Sequence, residues 1–294
     1  MDQRSTDQRI VELYDSFTHG QIDRRTFLDR LTAIAGSTAA ALALLPLLQN
    51  DYARAETVPA GDARLTTGTA SCDAAGTKMS GYLAHLKGGA KRPAVIVIHE
   101  NRGLNPHIQD IARRLAVDGF LAFAVDALSP LGGTPKDEDK GREMIATLNA
   151  GETAQRIAAA VPFLAAHQGS TGAVGAVGFC WGGGMVSRLA VLSPDLKAGV
   201  AYYGAQPPAA DVPKIHAALL LHYAGLDSRI NAGIPAYEEA LKAAGKTFTA
   251  YVYPNVNHAF NNDTGSRYNK AAAELAWSRT IAFFKEQLGA PPKG

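Results

Sequence analysis

From about residue 60 onward, short apolar runs rich in Val, Ala and Tyr alternate with stretches of helical periodicity. The runs are MSGYLAHL (79–86), PAVIVIH (93–99), FLAFAVD (120–126), AVGAVGF (173–179), AGVAYYG (198–204), ALLLHYAG (218–225) and FTAYVYP (248–254). Helical patterns fall between them, near 106–118, 151–167, 183–192, 232–245 and 266–288. Most of the runs are continuously apolar and do not alternate, so both of their faces need cover. Strands buried on both faces and separated by helices imply a largely parallel sheet, because parallel neighbours need a crossover and a helix supplies it. The expected fold class is α/β: a mostly parallel, doubly wound sheet flanked by helices. A single catalytic domain of residues 56–294 with an N-terminal extension, residues 1–55, accounts for the 294-residue chain.

Composition narrows the partners. Hydrophobic residues make up 47% of the chain and charged residues 19%, enough apolar surface for a sizeable core. The net charge of +2 comes from scattered residues, so no basic face for nucleic acid is expected. Cys72 and Cys180 are the only cysteines, which excludes a disulfide framework and a four-cysteine zinc site.

The extension reads differently. Asp23-Arg24-Arg25-Thr26-Phe27-Leu28 precedes an uncharged Ala/Leu-rich run at 31–50, and Ala53-Arg54-Ala55 follows. Paired arginines, an apolar run and an A-x-A site together resemble a twin-arginine export signal, which implies a periplasmic or exported protein. The run is weakly apolar, with Gly36, Ser37 and Thr38 inside it, so no stable membrane span is expected. The alternative is an uncleaved helical arm on a cytoplasmic protein, since IVELYDSF has helical spacing and acids at 2, 7, 12 and 15 precede the arginine pair.

Chemistry concentrates at Gly178-Phe179-Cys180-Trp181-Gly182, between a strand-like run and a helical one. A nucleophile on a tight strand-to-helix turn requires minimal side chains two residues to either side, and the helix N-terminus beyond it favours a thiolate or an oxyanion. The partners of such a nucleophile follow in the order acid, then histidine. Asp227 and His258 stand just past the carboxyl ends of consecutive strand runs, where loops of an open α/β sheet gather a site. Cys180, His258 and Asp227 are therefore expected as nucleophile, base and orienter. His99-Glu100-Asn101-Arg102-Gly103 closes another strand, so the backbone N–H groups of Trp181 and Asn101 are the expected oxyanion donors. Glu100 there could take or hold the thiol proton, or form a structural ion pair with Arg102 or Arg113. H-E-x-x-H fails at Gly103, and no metal or cofactor is expected. Tyr202 and Tyr203 end a strand on the same side and could line the pocket or pack; His222 and Asp126 read as structural.

These motifs in order resemble the dienelactone hydrolase family of α/β-hydrolases over roughly residues 60–290: HENRGL, Asp110 with Arg113-Arg114-Leu115-Ala116, Gly119-Phe120, GFCWGG, Asp227 and His258-Ala259-Phe260. The resemblance implies an α/β-hydrolase fold, a small-molecule ester or lactone as substrate, an acyl-cysteine route and Glu100 as the carboxylate touching the resting thiol. Family members that take dienelactones hold the substrate carboxylate with two arginines. The corresponding positions here read Asp126-Ala127-Leu128-Ser129-Pro130 and Asn262. Arg102, Arg229 or Arg267 could substitute, with Tyr202, Tyr203 and Phe260 as further candidate contacts. A thioesterase, another carboxylesterase, or a catalytically silent ligand-binding protein of the same fold are the alternatives.

Overall fold

The computed structural model describes residues 8–51, 56–74 and 76–290. One sheet contains β1 (Leu65–Ala74), β2 (Thr77–Leu86), β3 (Arg92–Ile98), β4 (Leu121–Val125), β5 (Ser170–Phe179), β6 (Ala198–Tyr202), β7 (Ala218–Ala224) and β8 (Phe248–Tyr253), in the order β1-β2-β4-β3-β5-β6-β7-β8. The pairs β1–β2 and β2–β4 are antiparallel, and every pair from β4–β3 to β7–β8 is parallel. All seven apolar runs thus become strands. The eighth, β1, lies at the sheet edge with LTTGTASCDA largely exposed, so no apolar run marks it.

The two faces of the sheet feed separate cores. Ala94, Ile96 and Ile98 of β3 enter one cluster, while Val95 and Val97 enter the other. This is the period-2 alternation of a strand with helices on both sides. Those helices are α4 (Pro106–Val117), α5 (Glu138–Ala146), α6 (Ala150–Ala158), α7 (Ala160–Ala165), α8 (Trp181–Leu192), α9 (Ser228–Asn231), α10 (Ile234–Ala243) and α11 (Lys270–Leu288), counted after the three that open the chain.

The opening helices α1 (Gln8–Thr18), α2 (Arg24–Ala35) and α3 (Thr38–Leu48) build a small core of their own from Ile10, Leu13, Tyr14, Phe17, Phe27, Leu31, Ala41 and Leu48. Asp23 caps α2 by accepting from Thr26 N–H, Gly36 ends it at φ 82°, and Ser37 caps α3. The Ala/Leu-rich run is thereby split, and α2 and α3 meet at 110°. Among the described residues no single helix is long and apolar enough to cross a membrane. The arginine pair opens α2, with Arg24 Nη1 3.5 Å from Asp139 Oδ2. Ala53-Arg54-Ala55, like Asp2 and Asp7, lies outside the described residues.

Candidate active site

Cys180 stands between β5 and α8 with φ 56° and ψ −115°, a backbone conformation that L residues rarely adopt. The turn survives because its flanks are glycine. A Cβ on Gly178 would lie 2.2 Å from the carbonyl oxygen of Gly182, and one on Gly182 would lie 2.3 Å from that of Ile98. Cys180 N–H donates to Tyr202 O at 3.0 Å, which ties the elbow to β6. Trp181, the first residue of α8, contributes an N–H that has no acceptor within the helix.

Asp227 and His258 follow β7 and β8. His258 Nδ1 donates to Asp227 Oδ2 at 2.5 Å, and Asp227 Oδ1 accepts Ile230 N–H at the start of α9. The acid is thereby fixed by a helix start and in turn fixes the imidazole tautomer, leaving Nε2 for chemistry. That Nε2 is buried and has no hydrogen-bond partner among the described residues. The ring lies against Tyr203, centroids 4.8 Å apart.

Charge organises the site more than contact does. Burial pushes the Cys180 thiol up, but the charges of His258 and His19 outweigh it and bring the thiol down to about 6. Burial lowers His258, whereas Cys180, Asp15 and the Asp227 hydrogen bond raise it to about 10. Burial also works against ionised Asp227, and the His258 hydrogen bond and charge hold it below the ordinary carboxylate range. These opposite shifts favour a thiolate beside an imidazolium, the form in which a cysteine is nucleophilic.

Glu100 is buried near Cys180, but its hydrogen bond goes elsewhere: Oε2 accepts from Asn262 Nδ2 at 2.8 Å. The group 3.2 Å from Cys180 Sγ is instead His19 Nε2, from the end of α1. Asn101 follows Glu100 at the cavity wall, with its side-chain amide donating to Thr18 O at 2.8 Å. Among the other candidates, Arg102 is engaged with Glu138, Asp139 and the Tyr14 hydroxyl. Tyr202 is buried with its hydroxyl on Thr280, and Phe260 packs behind Tyr203; of these two tyrosines only Tyr203 lines the cavity. Arg267 is held by Asp15 at 2.8 Å, whereas Arg229 does reach the cavity.

That cavity encloses about 460 Å³ above Cys180 and His258. Trp181, Met185, Ile145, Leu148 and Ile230 give it an apolar half, and Arg142, Arg188 and Arg229 a cationic one. Arg142 Nε lies 3.6 Å from Asp139 Oδ1 and Arg229 Nη2 3.7 Å from Asp15 Oδ2, while Arg229 Nε is buried with no hydrogen-bond partner among the described residues. The sequence reading did not include His19, Asp15, Arg142 or Arg188. An Asp15–His19 pair at helical spacing before Gly20 is a signal in the sequence, but only folding brings it to the elbow. His19, Cys180 and His258 offer donor atoms within 4.8 Å of one another. Each imidazole's Nδ1 is committed, to Asp15 O or to Asp227, which leaves both Nε2 atoms free of those bonds.

Comparison with known proteins bears on the family and the fold. The model of the dienelactone hydrolase family matches residues 79–288, and a model described as YqhI-like matches residues 1–36. A relative from Escherichia coli O157:H7 described as "Putative carboxymethylenebutenolidase" is 32% identical over 244 residues, covering 78% of this chain and 90% of its own length. One of the same description from Methylorubrum extorquens is 32% identical over 280 residues, covering 89% and 94%. The crystal structure of a "Putative Dienelactone Hydrolase" from Klebsiella pneumoniae superposes with a TM-score of 0.68 at 28% identity, covering 76% of this chain and 99% of that one.

Proposed function

This chain belongs to the dienelactone hydrolase family and is a hydrolase acting on esters, and we propose that it works through an acyl-cysteine intermediate on Cys180. The observation that carries this reading is the Cys180 sulfur on a strained, glycine-flanked elbow at a helix N-terminus, with the His258–Asp227 pair beside it. The thiolate attacks the carbonyl carbon, forming an S–C bond and placing the negative charge on oxygen. Trp181 and Asn101 N–H groups receive that oxyanion. Collapse breaks the ester C–O bond, and the leaving alkoxide takes its proton from His258 Nε2. The now neutral His258 then removes a proton from water, the hydroxide attacks the thioester, and the S–C bond breaks to release acid and restore the thiolate.

Substrate class follows from the cavity wall. Three arginines along one wall, Arg142, Arg188 and Arg229, suit a small ester or lactone with an anionic end, while the apolar half takes the body of the molecule. The two arginines absent from the family positions are thus replaced from other elements, α5, α8 and α9. Turnover of p-nitrophenyl acetate and a small lactone panel tests the reaction. Cys180→Ala, His258→Ala and Asp227→Asn each lower steady-state turnover (kcat) by about 10³-fold or more with the fold intact, if the three act as a unit. Wild-type rates in Cys180→Ala overturn the reading.

A further inference from the structure

We propose that His19, carried in by the N-terminal arm, is a catalytic residue that pairs directly with the nucleophile, so that the active site is complete only with the arm docked. The inference rests on Cys180 being the nucleophile, as argued above.

The geometry of His19 mirrors that of His258. Its Nδ1 lies 2.7 Å from the carbonyl oxygen of Asp15, which can only accept, so Nδ1 carries a proton and Nε2 faces Cys180 Sγ at 3.2 Å. With Nε2 unprotonated, the ring accepts from the thiol; with it protonated, the ring donates to the thiolate. Passage of the thiol proton to Nε2 converts the first state into the second and ionises the sulfur, a task for which Glu100 makes no hydrogen bond to it, its Oε2 being bonded to Asn262. The His19 and His258 rings meet edge to face at 4.8 Å, so Cys180 is bracketed by two imidazoles from distant parts of the chain.

The arm is built to hold this pose. Arg267 Nη1 donates to Asp15 Oδ1 at 2.8 Å, Asn101 Nδ2 to Thr18 O at 2.8 Å, and Gln8 Nε2 to Asn257 Oδ1 at 2.7 Å. The Arg142 guanidinium stacks over Phe17 at 4.4 Å. Asn101 and Asn257 neighbour the oxyanion site and His258, so docking of α1 braces both. Thr18, His19 and Gly20 also form one wall of the 460 Å³ cavity, so the arm shapes the substrate site while leaving it open. A segment that supplies a wall and a ring to the reaction centre must remain in the working protein, which favours the helical-arm reading of residues 1–55 over a cleaved signal.

The thiolate fraction of Cys180 measures the pairing without any substrate. The groups that face it are His19 and Asp15 from the arm, His258 and Asp227 from the loops after β8 and β7, Glu100 and Tyr203 from the ends of β3 and β6, and Arg142, Arg229 and Arg267 around them. Only His19 is changed in His19→Ala and His19→Gln, with circular dichroism to verify the fold. Iodoacetamide alkylation of Cys180, followed by peptide mass spectrometry against pH, is expected to shift its midpoint up by about one pH unit in His19→Ala, with His19→Gln in between. kcat/KM on p-nitrophenyl acetate is expected to fall about threefold near pH 6.5 and to recover towards wild type near pH 9. An unchanged midpoint in folded His19→Ala overturns the proposal. So does a uniform rise in alkylation rate at every pH with the same midpoint, which would make the arm a shield and nothing more. If the midpoint shifts while the wild type hydrolyses no ester, the pairing stands and the proposed reaction fails.

Discussion

Asn262, four residues beyond His258, donates from Nδ2 to Oε2 of Glu100 at 2.8 Å. The position where dienelactone-cleaving relatives are expected to carry a substrate-binding arginine thus serves the interior of the site. Asn262 is buried, and its Oδ1 accepts from Thr264 as well, so the amide is fixed at both ends. Glu100 is thereby held by Asn262 through Oε2, and its Oε1 has no hydrogen-bond partner among the described residues.

A consequence is measurable. Glu100→Gln is expected to move the alkylation midpoint of Cys180 by less than about 0.3 pH units, against about one for His19→Ala. A larger shift from Glu100 than from His19 would return the carboxylate to the thiol.

The pH profile of ester hydrolysis follows from the nucleophile pair. Cys180 lies below its ordinary range, so thiolate is lost as pH falls through about 6. His258 lies above its ordinary range, so the imidazolium needed by the leaving group is lost as pH rises through about 10. A bell with limbs near these two values is expected for kcat/KM, and the apparent values belong to the pair and not to either residue alone. A thiol limb near 8.5, the value of a free cysteine, would contradict an ion-paired resting state.

The arginines of the cavity separate substrate classes. Arg188→Met and Arg229→Met are expected to raise KM about tenfold for an ester bearing a carboxylate while leaving a neutral ester of equal size unchanged, since each removes one charged donor. Equal losses on both esters would mean that the arginines only shape the wall.

Tyr203 offers a stability test. It is fully buried at a positive φ of 39°, and its hydroxyl has no hydrogen-bond partner among the described residues. Tyr203→Phe keeps the ring against His258 and Phe260 and is expected to leave stability unchanged or raise it by up to about 1 kcal/mol, as read by denaturant unfolding. A loss above about 1 kcal/mol would show that the hydroxyl is bonded in solution.

The N-terminus distinguishes its two readings directly. With His19 part of the site, protein purified from a native-like host is expected to start ahead of residue 19, and Arg24-Arg25→Lys-Lys to leave its location unchanged. A start near Glu56 would support export and cleavage and remove the arm from the mature enzyme.

Much of this was legible in the sequence because the signals were local. β2 to β8 show as apolar runs, and the glycines around Cys180 are demanded by carbonyls within bonding distance of where a Cβ would sit. His222 and Asp126 also read correctly as structural: His222 is bonded to Thr280 and Tyr253, and Asp126 accepts from Thr134 and Leu128. What sequence hid was long-range. His19 is 161 positions from Cys180, and Arg142 and Arg188 reach the cavity from two different helices. No spacing rule links such residues. Arg102, next to Asn101, read as a candidate substrate contact, and in the fold the arm and α5 engage it.

The central claim is that Cys180 forms the acyl intermediate and His258 resolves it. Intact-mass spectrometry of enzyme quenched during turnover of a slow p-nitrophenyl ester, with peptide mapping, tests this most directly. Because p-nitrophenolate leaves without a proton, acylation survives in His258→Ala while water activation does not. An acyl adduct on the Cys180 peptide is expected to accumulate in His258→Ala and to be absent in Cys180→Ala. Undiminished turnover in Cys180→Ala, or steady turnover by His258→Ala with no adduct on Cys180, would contradict it.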